Sequence, residues 1–198
     1  MPEPITTITG TAIPLDRSDV DTDQIIPAEW LKRVERTGFG EGLFGAWRKD
    51  ASFPLNDKRY EDANILIAGP NFGTGSSREH AVWALTDYGF KAVVSPRFGD
   101  IFRNNATKAG LVPVQVSPQT GAALMKAVQD DPTVELIVDV DSRTIGCLAA
   151  GVEEQFPLDD FTRMRFLEGL DDIGLTLRNS DAITAYESNR KPWLPRVG

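Results

Sequence analysis

Ser76, Ser77 and Arg78 stand in a row directly after Gly69-Pro-Asn-Phe-Gly-Thr-Gly75, a turn studded with glycines. The apolar run Ala63 to Ala68 before it reads as a buried strand. From Glu79 onward Ala81, Val82, Ala84, Leu85 and Tyr88 recur at helical spacing, and Gly89 is placed to stop that helix in a left-handed conformation. The two hydroxyls and the guanidinium are therefore expected where a helix begins. Unpaired N–H groups and the positive end of the helix dipole favour an anion there, a carboxylate or a phosphate.

Familiar patterns for such a turn fail on spacing. A phosphate-cradling loop needs a lysine and a hydroxyl after its last glycine, and Gly75 is followed by Ser76-Ser77-Arg78. A dinucleotide turn needs a third glycine where Arg78 stands. A nucleophile elbow needs glycines two residues to either side of its serine, but Gly75 adjoins Ser76. A serine–histidine–aspartate triad has only His80 to use, four residues past Ser76 on the same expected helix. The plain alternatives are a serine that caps the helix and a lone histidine that packs against its neighbours.

Composition limits the rest. A chain of 198 residues, 41% hydrophobic, can bury one sizeable core, so a single domain over 1–198 is expected. Its 29 acidic and 21 basic residues give a net charge of -8, which repels nucleic acid and anionic membranes but leaves room for a small anion held by a local arginine. The N-terminus has neither a basic start nor an apolar core, and no run reaches the length of a membrane span, so a soluble cytoplasmic protein is expected. One cysteine, Cys147, and one histidine cannot build a zinc site or ligate an iron–sulfur cluster. Asp19-Val-Asp21-Thr-Asp23 imitates a calcium loop, but Gln24 stands where glycine is needed and Trp30 where the bidentate glutamate belongs. A turn whose short carboxylates accept backbone N–H bonds is the other reading.

The elements that must position these residues follow from pattern. Short strands or loops over Ile5 to Pro14 lead to an irregular stretch from Pro27 to Leu55, whose Trp30, Phe39, Leu43, Phe44 and Trp47 argue for packing. After the Ser-Ser-Arg turn come a strand at Lys91 to Ser95, a helix at Asp100 to Ala109 closed by Gly110, and a strand at Leu111 to Val116. Such alternation predicts parallel pairing in a three-layer α/β fold. Ser117-Pro118 starts a helix to about Gln129. Val134 to Val140 alternates, Asp141-Ser142-Arg143 reads as a hairpin turn into Thr144-Ile145, and helices are expected at Leu158 to Leu170 and Ser180 to Asn189, the second capped by Ser180.

Three separated segments, Asp21-Thr-Asp-Gln-Ile-Ile-Pro27, Gly73-Thr-Gly-Ser-Ser-Arg-Glu-His80 and Arg97-Phe-Gly-Asp-Ile-Phe-Arg-Asn-Asn105, resemble the swivelling domain of the aconitase superfamily. Leu31-Lys-Arg-Val-Glu-Arg-Thr-Gly-Phe-Gly40 and Leu170-Asp-Asp-Ile-Gly-Leu-Thr-Leu177 extend the resemblance, and it is closest to the small-subunit family of the isopropylmalate dehydratases. The resemblance implies a swivelling β/β/α domain, mostly parallel at its centre, with a recognition loop over 27–55 and C-terminal helices over 156–198. It implies a heterodimer with a large subunit whose own cysteines carry a four-iron cluster, one iron of which binds the substrate hydroxyl as a Lewis acid. By motif position Ser76 is then the base and Arg78 the carboxylate clamp. Asp23, Thr22 and Ser77 are implied as substrate-binding residues of the same cavity, as is Leu31 in the recognition loop, where an apolar side chain suits an isopropyl group. Lys32, Arg33 and Arg36 leave that last assignment open. A homoaconitase-type hydratase would share Ser76 and Arg78, and a non-catalytic anion-binding module would use the same turn without turnover.

Overall fold

The computed structural model describes residues 3–33, 37–191 and 193. Strand β1 (Thr7–Gly10) is followed by β2 (Ala12–Leu15), β3 (Ile65–Ala68), β4 (Ala92–Ser95) and β5 (Val112–Gln115). The last four form a parallel sheet in the order β2-β3-β4-β5. Every residue of β2, β3 and β4 is buried, so both faces of the sheet are covered and the strands read as unbroken apolar runs. Pro14 and Pro113 fall on the two edge strands, where a missing N–H leaves a central ladder intact.

Between the strands run α1 (Thr22–Ile25), α2 (His80–Tyr88) and α3 (Asp100–Ala109), the latter two closed by Gly89 and Gly110 as the sequence predicts. Strands that advance in one direction across a parallel sheet place right-handed crossovers on a common face. In keeping with that, α2 packs against α3 and against the 3-10 turn Phe39–Gly42. Helix α4 (Pro118–Asp130) packs on β2 and β3, with Ser117 as its cap accepting the Thr120 N–H at 3.2 Å.

The irregular stretch is a chain of 3-10 turns, Ala28–Lys32, Phe39–Gly42, Trp47–Lys49 and Pro54–Asn56. It is packed, as its apolar content suggests: Phe39, Leu43 and Phe44 are fully buried, and Phe44 stacks on Trp47 at 5.4 Å. The acidic run before it is the capped turn rather than a calcium loop. Asp21 Oδ1 accepts the Gln24 N–H at 2.8 Å while Gln24 Oε1 accepts the Asp21 N–H at 3.0 Å, a reciprocal cap for α1.

The second sheet is antiparallel, in the order β1-β6-β7-β8, with β6 at Leu136–Asp139, β7 at Thr144–Cys147 and β8 at Val152–Gln155. The hairpin into Thr144 is where the pattern puts it. Strand β8 is not foreshadowed, because Val152-Glu-Glu-Gln155 holds a single apolar residue and lies at an edge. One buried cluster runs from Ile8 in this sheet through the parallel strands to Phe166 in α5 (Asp160–Glu168). Two details at the C-terminal end differ from expectation. A separate helix α6 (Asp172–Leu177) is capped by Asp171, and Ser180 is the first residue of α7 (Ser180–Ser188) rather than its cap. Asn179 holds the capping position without a side-chain bond, since its Nδ2 donates back to Leu175 O at 3.5 Å.

Candidate active site

The loops leaving β2, β3 and β4 rise from the same end of the parallel sheet, where α/β folds gather their ligands. They are laced together by backbone bonds. Gly73 and Thr74 donate to Val20 O at 2.7 and 3.2 Å, Thr22 donates to Thr74 O at 3.0 Å, and Gly99 donates to Phe72 O at 2.9 Å. Asp21 pairs with Thr74 and Phe72 with Phe98 as single parallel bridges. The three motif segments, far apart in the chain, thus form one continuous edge.

Two glycines make this edge possible. Gly73 sits at φ +75°, and a Cβ there would lie 2.2 Å from Phe102 Cγ; Gly75, at φ +91°, turns the chain back over Asp21 and Thr22. That reversal corrects one expectation. Ser76 does not cap α2, whose first residue is His80 and whose capping position is held by helical Glu79 with no side-chain bond. The serine hydroxyl instead meets Thr22 Oγ1 at 3.1 Å, and the site is set by neighbouring loops more than by the helix terminus.

The expected residues are disposed as follows. Ser76 and Ser77 are exposed, Arg78 is half-buried, and Thr22 beneath them is 2% exposed. Arg78 Nη1 donates to Asp23 Oδ1 in an ion pair whose side chains are 23% and 58% exposed. A pair with its carboxylate this open to solvent is worth on the order of 1 kcal/mol, a weak hold on the guanidinium. Ser77 O accepts from Asn105 Nδ2 at 3.4 Å, a contact that sequence reasoning did not assign although Asn105 ends the third motif.

His80 packs with Phe39 at 5.4 Å and Trp83 at 4.6 Å between ring centroids, the plain reading of a lone histidine. Leu31 lies outside the hydrogen-bonded group, half-buried on the turn Ala28–Lys32, which reaches α2 through Trp30, Phe39 and His80. Arg33 is drawn away, its guanidinium 4.2 Å over the Trp30 ring and donating to Gly38 O at 3.4 Å. Arg36 is outside the described residues.

Among the described residues no group of three or more His, Cys, Asp or Glu is placed to hold a metal. The one cysteine, Cys147, is buried in β7, away from the loops that carry Ser76. This chain's donors therefore do not fit an iron–sulfur cluster. A groove of about 1020 Å³ between α3, the β6–β7 turn and α5 uses a different face of α3 from Asn105. Its arginines are engaged: Arg103 donates to Pro157 O at 2.9 Å, Arg143 pairs with Asp160 and Arg163 with Asp141. No described helix is long and apolar enough to cross a membrane.

A four-stranded parallel sheet that gathers serine and arginine on its loops, beside a four-stranded antiparallel sheet, is the aconitase swivelling class. Residues 2–119 match the aconitase C-terminal domain family, and residues 172–197 match the C-terminal domain of the 3-isopropylmalate dehydratase small subunit. The chain is 61% identical to the 3-isopropylmalate dehydratase small subunit of Frankia alni and 58% identical to that of Thermobifida fusca, in each case over 98% of both chains. It also resembles the crystal structure of a 3-isopropylmalate dehydratase from Methanocaldococcus jannaschii, at TM-score 0.66 and 26% identity, over 91% of this chain and 99% of that one. The chain belongs to the family of 3-isopropylmalate dehydratase small subunits. Members of that family are subunits of a hydro-lyase and work with a large subunit.

Proposed function

We propose that this chain, as one aconitase-type swivelling unit, supplies half of a shared pocket in which 2-isopropylmalate and 3-isopropylmalate interconvert by dehydration and rehydration. One observation carries the reading: an exposed serine hydroxyl and a guanidinium share an open edge of the protein, each supported from below or beside by its own partner. Docking of a large subunit over that edge completes the pocket and excludes water. The four-iron cluster expected on that subunit would supply a Lewis acid for the substrate hydroxyl; no group of described residues in this chain is placed to hold a metal in its stead.

The chain's own residues bind the substrate and move a proton. Arg78 clasps a substrate carboxylate through two parallel N–H bonds. Ser76, acting as an alkoxide, takes the proton from carbon and becomes a neutral hydroxyl, and the electron pair left behind forms the alkene as the substrate hydroxyl departs. Addition of water in the opposite sense gives the isomer. Alkoxide is too costly in bulk water, so this role needs the docked, desolvated state. Leu31 offers an apolar neighbour to the isopropyl group.

The test is anaerobic assay of the purified large subunit by itself, this chain by itself and the pair. Turnover by the pair only is expected. In the pair, Ser76→Ala should lower kcat by about 10²- to 10⁴-fold while the complex still forms and binds substrate. Near wild-type turnover by that variant rules out serine as the base.

A further inference from the structure

We propose that Thr22, buried beneath the site, is a positioning residue that stabilises the deprotonated form of Ser76; the inference rests on Ser76 being the base. Thr22 is 2% exposed, and its hydroxyl has two hydrogen-bond partners, Ser76 Oγ at 3.1 Å and Ser76 O at 3.5 Å. The second distance is at the limit for such a bond, so the Ser76 hydroxyl is the better partner.

The chemistry of that contact depends on charge. While Ser76 is neutral, either hydroxyl donates, and the bond is an ordinary one. Once Ser76 has lost its proton it can only accept. Thr22 then gives its single proton wholly to the anion, in a bond shorter and roughly twice as strong as a neutral one. The gain exists only when negative charge is on Ser76 Oγ, which is the condition for lowering a barrier rather than tightening binding.

The backbone fixes the donor for this task. Thr22 N–H is held by Thr74 O at 3.0 Å and Thr22 O by Ile26 N–H at 3.1 Å, inside a turn locked by the reciprocal Asp21–Gln24 cap. A branched β-carbon narrows the side-chain rotamers further. The Cβ-less Gly75 closes over it, a Cβ there lying 3.7 Å from Thr22 Oγ1.

The experiment uses the reconstituted two-subunit enzyme. Thr22→Val keeps the shape and removes the hydroxyl. It should lower kcat about ten- to hundredfold, leave KM within about twofold, and move the limb where activity rises with pH to higher pH. Thr22→Ser should restore kcat and the pH limb. On a Ser76→Ala background Thr22→Val should cost nothing further, because the group it serves is gone. Should valine prevent assembly, Thr22→Cys, with only a weak thiol donor, gives the same readouts. Unchanged kcat and pH profile in a Thr22 variant lacking a good donor, with Ser76→Ala inactive, overturns the role of Thr22 alone. An active Ser76→Ala enzyme overturns the reading beneath it.

Discussion

Arg78 meets Asp23 across 55 residues of sequence, and the proposed clamp role at this position suits arginine better than lysine. A guanidinium can stay on Asp23 with one N–H and offer its remaining fork to a second carboxylate, whereas an ammonium is a single point charge. In the two-subunit enzyme Arg78→Lys should therefore raise KM by about tenfold or more, with the melting temperature of the free chain unchanged, as steady-state kinetics and a thermal melt would read. The strings that hold Ser76, Arg78 and Asp23 stand out in the sequence because they are unusual, and the structure brings those segments to one edge. Thr22 was legible only as a member of its motif, since nothing in Asp21-Thr-Asp23 marks the middle residue as the one turned inward. Burial came from the loop lacing and from the reversal at Gly75, neither of which has a local signature.

The elements that carry the site are held by contacts that leave no room for error. Gly73 lies against the Phe102 ring of α3, so Gly73→Ala combines a clash with a left-handed backbone that alanine resists. A cost of about 2 kcal/mol or more is expected, or roughly 5 °C in a thermal melt of the free chain. Turnover of the complex should fall with it, because the same turn carries Ser76. Helices with plain stop signals were readable in the sequence: α2, α3 and α4 begin and end within a residue or so of where Gly89, Gly110 and Ser117-Pro118 set them. Strand β8 and helix α6 were not, one for want of apolar residues and the other because Asp171 and Asp172 look like an ordinary acidic loop.

At the scale of the whole molecule the two sheets are tied through Glu154. This β8 carboxylate accepts the Ser117 N–H at 2.7 Å and its hydroxyl at 3.0 Å, at the start of α4, which packs on the parallel sheet. Burial pushes Glu154 up, but bonds from Thr120 and Ser117 outweigh it and hold the carboxyl below the ordinary glutamate value. The unfolded chain therefore takes up the proton first as pH falls. The stabilisation is complete above the ordinary value and is lost as pH drops through the lowered folded one. Asp159, held down mainly by the Thr162 N–H, and Asp139, held down mainly by the Ser142 N–H, act in the same direction. Glu154→Gln should melt about 2–4 °C lower at pH 7 and show a smaller loss on acidification than the parent chain. The parallel order was legible from the alternation of strands and helices. The pairing of β1 with β6 was not, because Thr7 finds Asp139 across most of the chain and no local pattern encodes that distance. On a ribosome, which delivers the amino end first, Thr7–Gly10 emerges early and must wait without a mate until residue 139 has been added, while the parallel strands, finished by residue 115, already have theirs. Completion of the second sheet thus reports that synthesis has passed residue 155, and a nascent chain that stops short of β6 is left with a bare strand.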